Sequence, residues 1–342
     1  MKCRLSLWLV LCLAPTLFPL VAHAHVKWFV DDSHAFTEAG YFFDSLFAFI
    51  LAGAFLFVAA ASLLQRHARQ NIRSYDFLYA PVSKLWMKNP SRHINTLLKF
   101  SLGILLLANL LQGHFIAPNF VRDGGSFEYA LVQALLILLL IVDVSLFALA
   151  LFVFSLSLFL LFPITSAIDY APELIALSIA LFFTSPRYAE GRLNTKFFGK
   201  QYRIQHRSLA VGIVQFGLGL QLIILTFHDK LLHPGYGLAF LHEYPVFNFP
   251  HYFGWHSFTN THFVFGAGMA ELCFGVLLVA NIAPRIASLL IVIIFTLTGI
   301  VLGPEELLGH VPIIAMALVL LLTPLPGFAA PEAQLDSQLL PD

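Results

Sequence analysis

Between Tyr129 and Pro163 the chain carries a single charged residue, Asp143. Each half of that run approaches the roughly 20 apolar residues that cross a hydrocarbon core about 30 Å thick. Comparable runs recur near 40–64, 95–117, 171–186, 208–228, 262–281, 285–302 and 310–325. In lipid a backbone must satisfy its own hydrogen bonds, and a helix does so within one segment. With the long run split at Asp143 into 128–145 and 146–163, the pattern predicts an all-α integral membrane protein with about nine transmembrane helices. A β-barrel would alternate apolar and polar residues instead. Apolar residues make up 59% of the chain and charged residues 11%, as a lipid-embedded bundle requires. A formal net charge of zero gives no footprint for nucleic acid.

The first 24 residues read as a secretory signal. Lys2 and Arg4 precede an apolar stretch from Leu5 to Val21, and Ala22-His23-Ala24 is an A-x-A cleavage site. Cleavage would make His25 the first mature residue. The alternative is an uncleaved first helix. After cleavage Cys273 alone remains, which excludes an internal disulfide and any CxxC relay.

Two loops set the expected orientation. Residues 65–95 hold Arg66, Arg69, Arg73, Lys84, Lys88 and Arg92. Residues 186–207 hold Arg187, Arg192, Lys196, Lys200, Arg203 and Arg207. The positive-inside rule places both in the cytoplasm, together with the turn at Arg285 and the tail 326–342. The mature N-terminus then lies outside, and the membrane is a cell inner (plasma) membrane. This threading sorts the 14 histidines unevenly. His25, His34, His114, His228, His233, His242, His251, His256, His262 and His310 fall outside. His67, His93 and His206 fall inside, and His23 leaves with the signal.

The two halves look alike. Arg92-His93 precedes a helix that ends near His114, and Gln205-His206 precedes one that ends near His228. Gln133 matches Glu271 and Asp143 matches Asn281 at a constant offset of 138, and both last helices begin at a proline, Pro172 or Pro312. Four helices per half keep the copies parallel. The expected division is a segment 25–92 with one extra helix, a degenerate four-helix repeat 93–187, and a second repeat 205–325.

The second repeat resembles the DoxX (DoxX/DoxD) family of four-helix membrane proteins. The resemblance rests on Lys230 to Pro234 at a helix end, Glu271 with Gly275 inside the next helix, and Arg285 in the following turn. The first repeat keeps neither the membrane Glu nor the turn Arg. The resemblance implies a bundle fold and allows redox work near the quinone pool, since some DoxD-like members are associated with quinone-linked thiosulfate oxidation. The extra helix, the second unit and the His-rich loop depart from a simple member.

Several foci carry chemistry. A free His25 offers an α-amine and an imidazole to one metal, and with His34 it suits copper best, zinc being the alternative. The outer loop from Asp229 to Thr261 holds His233, His242, His251 and His256, with His262 just beyond, among many aromatics. Either metal ligation or an interfacial aromatic belt explains them. His310 follows Glu305 and Glu306 at a helix entrance, where acids also complement the helix dipole. His114 and His228 occupy matching helix ends and are the candidate axial pair for a b-type haem. Glu271 lies near mid-bilayer, where a charge costs roughly 2.5–3.5 kcal/mol, and is the candidate proton relay, with Gln112, Gln215 and Gln221 as expected neighbours. The scarcity of Met excludes a Met-rich Cu(I) path.

The leading expectation is a metal-binding protein, with copper at its outer face, that passes electrons or protons to the quinone pool or a periplasmic redox protein. The alternative is a non-enzymatic scaffold or assembly factor that docks a periplasmic partner through the His/aromatic loop. A transporter is a third reading, weakened because Glu271 stands nearly alone along the spans.

Overall fold

The computed structural model describes residues 44–70, 90–117, 126–185 and 192–323. His25, His34, the signal segment, most of the loop 65–95 and the tail 326–342 lie outside the described residues. We number the principal helices α1 (Ser45–Gln70), α2 (Pro90–Leu111), α3 (Ser126–Val142), α4 (Val144–Leu161), α5 (Ala171–Thr184), α6 (Arg192–Leu225), α7 (Pro234–Glu243), α8 (Asn260–Val279), α9 (Pro284–Leu302) and α10 (Pro304–Leu322). Among the described residues, six stretches are long and apolar enough to cross a membrane: Ser45–His67, Arg92–Leu111, Val144–Leu161, Ser208–Leu231, Asn260–Val279 and Pro284–Leu302. Phe127–Val142, Ala171–Thr184 and Glu306–Leu322 are apolar but shorter. The chain is an all-α, multi-pass membrane protein.

Side-chain chemistry sets the helix boundaries. The long apolar run breaks at Asp143, whose carboxylate accepts from the backbone N–H groups of Ser145 and Leu146 and so caps α4. One apolar run thereby becomes a helical hairpin. α6 is longer than its apolar part predicts. It starts at Arg192 rather than near 208 and spans 34 residues, about 51 Å. The reason is that 192–207 is polar but free of proline, so nothing stops the helix where its hydrophobicity stops.

Glycine lets α6 sit at the centre. A Cβ on Gly219 would lie 2.8 Å from the Gly275 carbonyl oxygen of α8, and one on Gly217 would meet Ala176 of α5 at 2.1 Å. Close backbone approach of this kind is how membrane helices gain packing contacts. α5 packs on α4 and α6, α10 on α9 and α2, and α1 lies along α8. Leu98, Leu106, Phe147, Leu151, Leu177 and Leu218 are fully buried in the resulting core. Leu160 (88% exposed) and Ile300 (73%) point outward, as lipid-facing side chains do.

α1 is held at its two ends. Asp44, just before it, meets His262 in the first turn of α8. Gln65, near its C-terminus, donates to the Asn281 carbonyl at 3.0 Å and accepts from the Ala283 N–H. α1 and α8 therefore run parallel, and Asp44 and Gln65 mark opposite ends of the bundle. Asn281 and Ala283 take left-handed backbone angles in that turn (φ 53° and 41°), and the Gln65 amide spans it.

Candidate functional site

The segment after α6 is a π-helix, Thr226–Leu231. A π-turn widens the hydrogen-bonding spacing and redirects side chains, which is why such turns collect at functional sites. Here it points consecutive residues at different neighbours. His228 turns toward α5, and Lys230 turns toward α8.

On the α5 side, His228 Nδ1 lies 2.8 Å from Asp169 Oδ1 and 3.2 Å from Asp229 Oδ1. Both acids are buried and the histidine nearly so. One ligand atom from each residue falls within 4.8 Å of the other two, and this is the cluster of metal-ligating type among the described residues. Asp169 sits in the turn between the short helix Ile164–Ala167 and α5. Its backbone is fixed by Gln221 of α6: the Gln221 amide donates to the Asp169 carbonyl and accepts from the Glu173 N–H at 3.1 Å. That amide inserts where an ordinary i to i+4 bond would join Asp169 and Glu173. His233 stands at the solvent edge. Its Nδ1 is 2.7 Å from the His228 carbonyl oxygen, and the two rings are 5.4 Å apart.

On the α8 side, Lys230 Nζ donates to both oxygens of Glu271, at 2.7 and 2.6 Å. Thr226 Oγ1 approaches the same carboxylate at 3.5 Å. Glu271 is thus not alone: its partner is a lysine from the same π-turn. Gln215 and Gln221 are not its neighbours. Gln215 donates to the Leu278 carbonyl, and Gln221 serves Asp169 and Glu173. Gln112 is exposed at the end of α2.

Among the described residues the outer histidines do not gather at one point, though His228 pairs with His233 and His251 with His256. His262 is buried and closes a capping box: its Nδ1 accepts from the Thr259 N–H at 3.1 Å, so its Nε2 carries the hydrogen and donates to Asp44 at 3.1 Å. Both nitrogens thereby hold α8 and α1 in place. Asp44 is held below the usual carboxylate range, first by the Phe47 backbone N–H it accepts and in smaller part by His262. His310 is buried against Phe295, with ring centroids 4.3 Å apart, and its Nδ1 lies 2.9 Å from the Glu306 carbonyl and 3.2 Å from Glu306 Oε1. His251 and His256 are exposed, their rings 5.2 Å apart, and His242 is exposed at the end of α7. His114 follows α2, its N–H bonded to the Asn109 carbonyl. The loop from Asp229 to Thr261 is not loose coil: α7 lies on α8 so closely that a Cβ on Gly237 would meet Val264 at 2.8 Å.

Counting imidazoles passed over Asp169, Asp229 and Glu173. The available signal is an acid inside or beside an apolar helix, Asp229 and Glu173 within one and Asp169 just before one, since a carboxyl group in a span is a functional hypothesis by default. No family model, curated protein or solved structure matches this chain.

Proposed function

We propose that this chain binds a divalent transition-metal cation where the turn before α5 meets the π-helix, with Asp169, His228 and Asp229 as ligands. The observation that carries the reading is the convergence of two buried carboxylates and an imidazole within 4.8 Å. Two anions around one histidine leave an excess of negative charge, and a cation is the partner that balances it. The donor set fits with a small adjustment. Bonds of about 2.1 Å in a tetrahedral site separate ligand atoms by about 3.4 Å. His228 stands at 2.8 and 3.2 Å from its two acids, so a bound ion would part them by a few tenths of an ångström. Two oxygens and one nitrogen suit zinc or manganese better than copper, which favours nitrogen-rich sets such as the one expected at His25. His233, at the solvent edge with its ring 5.4 Å from that of His228, would be the candidate for a further ligand.

The wider reading is a DoxX-like protein of nine spans in an inner membrane, with this site facing outward and the Arg285 turn inward. Packing supports two four-helix units. In each the first helix contacts the second and the fourth, and the third contacts the fourth; across the units, α5 packs on α6 and α10 on α2. A redox role near the quinone pool rests on the family resemblance. A second reading, a scaffold that docks a partner, is favoured by the exposure of Tyr252, Phe253 and Trp255 on the loop before α8.

The test is zinc and manganese binding by the full-length protein in detergent. The wild type is expected to hold one ion that Asp169→Asn and His228→Ala each lose. Equal binding in all three would remove the site.

A further inference from the structure

Glu173 is the unexplained acid of the bundle. It lies in the first turn of α5 and is 7% exposed. Its backbone N–H is bonded to Gln221, but its carboxyl makes no hydrogen bond or ion pair among the described residues. Buried carboxyl groups are almost always partnered, and more so at membrane depth. Among the described residues, the other buried or half-buried acids near it have partners: Asp169 and Asp229 have His228, Glu271 has Lys230, and Glu306 has His310.

Its place in the fold says which partner is missing. Asp169 and Glu173 flank the same Gln221 amide, so a single hydrogen-bonding group spans the distance between their backbones. Asp169 lies two residues before α5 and Glu173 in its first turn, so both acids stand at the same end of that helix. Glu173 stands outside the 4.8 Å cluster, and rotation of its side chain would carry its carboxyl to an ion held by Asp169. A third carboxylate also follows the preference of manganese for carboxylate oxygen, a donor that zinc accepts as well.

We infer that Glu173 is an additional ligand of the cation at Asp169, His228 and Asp229, which makes the site a three-carboxylate, one-histidine centre built across the α5–α6 contact. This rests on the proposed metal site. It assigns that site to a hard or borderline divalent ion and places it partly within the helix pair rather than on the loop surface. It also explains why Gln221 is buried between two acids: its amide sets their backbones at one spacing while their carboxylates turn to the ion.

The experiment titrates full-length protein in nanodiscs with Mn²⁺ and with Zn²⁺, comparing wild type, Asp169→Asn, Glu173→Gln and Glu173→Asp. The expected result is a loss of at least tenfold in affinity for Glu173→Gln, partly restored in Glu173→Asp, with the larger effect for Mn²⁺. Thermal unfolding without metal keeps the result interpretable, because Glu173→Gln is close in shape and is expected to melt no lower than wild type. If Asp169→Asn loses the ion while Glu173→Gln binds it as wild type does, the Glu173 assignment is overturned and the metal site stands. If the wild type binds no ion that Asp169→Asn loses, the metal site itself fails, and the assignment fails with it.

Discussion

His228 and His262 stand at the same end of the bundle, each beside aspartate, yet they do opposite work. His228 faces two acids that are both sequestered from solvent. His262 faces Asp44, which is 54% exposed in its side chain, and spends its second nitrogen on the Thr259 N–H. The first arrangement gathers two carboxyl groups where water cannot screen them, which is the ground for proposing a cation there. The second neutralises nothing that water does not already solvate, and serves to register α1 against α8. The burial of the carboxylates, not the count of imidazoles, separates a site from a latch.

The largest effect is expected where the π-helix is anchored. Glu271→Ala would leave Lys230 charged and partly buried, at a cost of about 3–5 kcal/mol. It should lower the unfolding temperature sharply and weaken metal binding as well, because the same π-turn carries His228. Glu271→Gln should fall between the two, and a variant with unchanged melting would break the account of the anchor.

A smaller effect is expected at the metal ligands, and it should be confined to binding. Asp169→Asn is expected to lose zinc binding, by more than the roughly 10–100-fold that follows loss of a partner merely supporting a ligand, while the metal-free protein keeps its melting temperature. His262→Ala should show the reverse pattern. It removes the N3 half of the α8 capping box and the contact with Asp44, together worth about 0.5–2 kcal/mol, and leaves zinc affinity unchanged. A double comparison of unfolding and titration for these two variants would sharpen the contrast, and a shared phenotype would erase it.

The smallest effect is a pH dependence at Asp44. Its folded-state carboxyl is held below its ordinary value, so its contribution is present above that value and is lost as pH falls through the depressed one. Wild-type melting should therefore decline on acidification slightly more than that of Asp44→Asn. Protease access to the α1 end reads the same change.

Much of the fold was legible in the sequence because apolar length is a strong signal. The helical hairpin at Asp143 follows from one acid in a long apolar run, since a cap there satisfies the backbone at the break. Glu271 was legible as an intramembrane acid. Its lysine partner was not, because Lys230 lies 41 residues earlier and reaches it only through a π-turn that periodicity does not encode. Asp169 was hidden for the same reason. It is 59 residues from His228, in a short turn whose acidity has no local meaning until α5 packs on α6. The histidines of the loop drew the sequence reading toward the surface, whereas the packed chemistry lies between helices. The membrane-crossing part of α6 was legible, since the expected start near 208 matches Ser208–Leu231, but the helix itself begins at Arg192 because hydrophobicity marks the membrane and not the end of a helix.

The most direct test is the absorption fine structure of the zinc-loaded, full-length protein at the zinc edge. The account predicts a first shell dominated by oxygen at about 2.0–2.2 Å with one imidazole, or two if His233 joins, and loss of that signal in Asp169→Asn. A shell of three or four imidazoles that survives Asp169→Asn would place the ion on the exposed histidines and contradict the account.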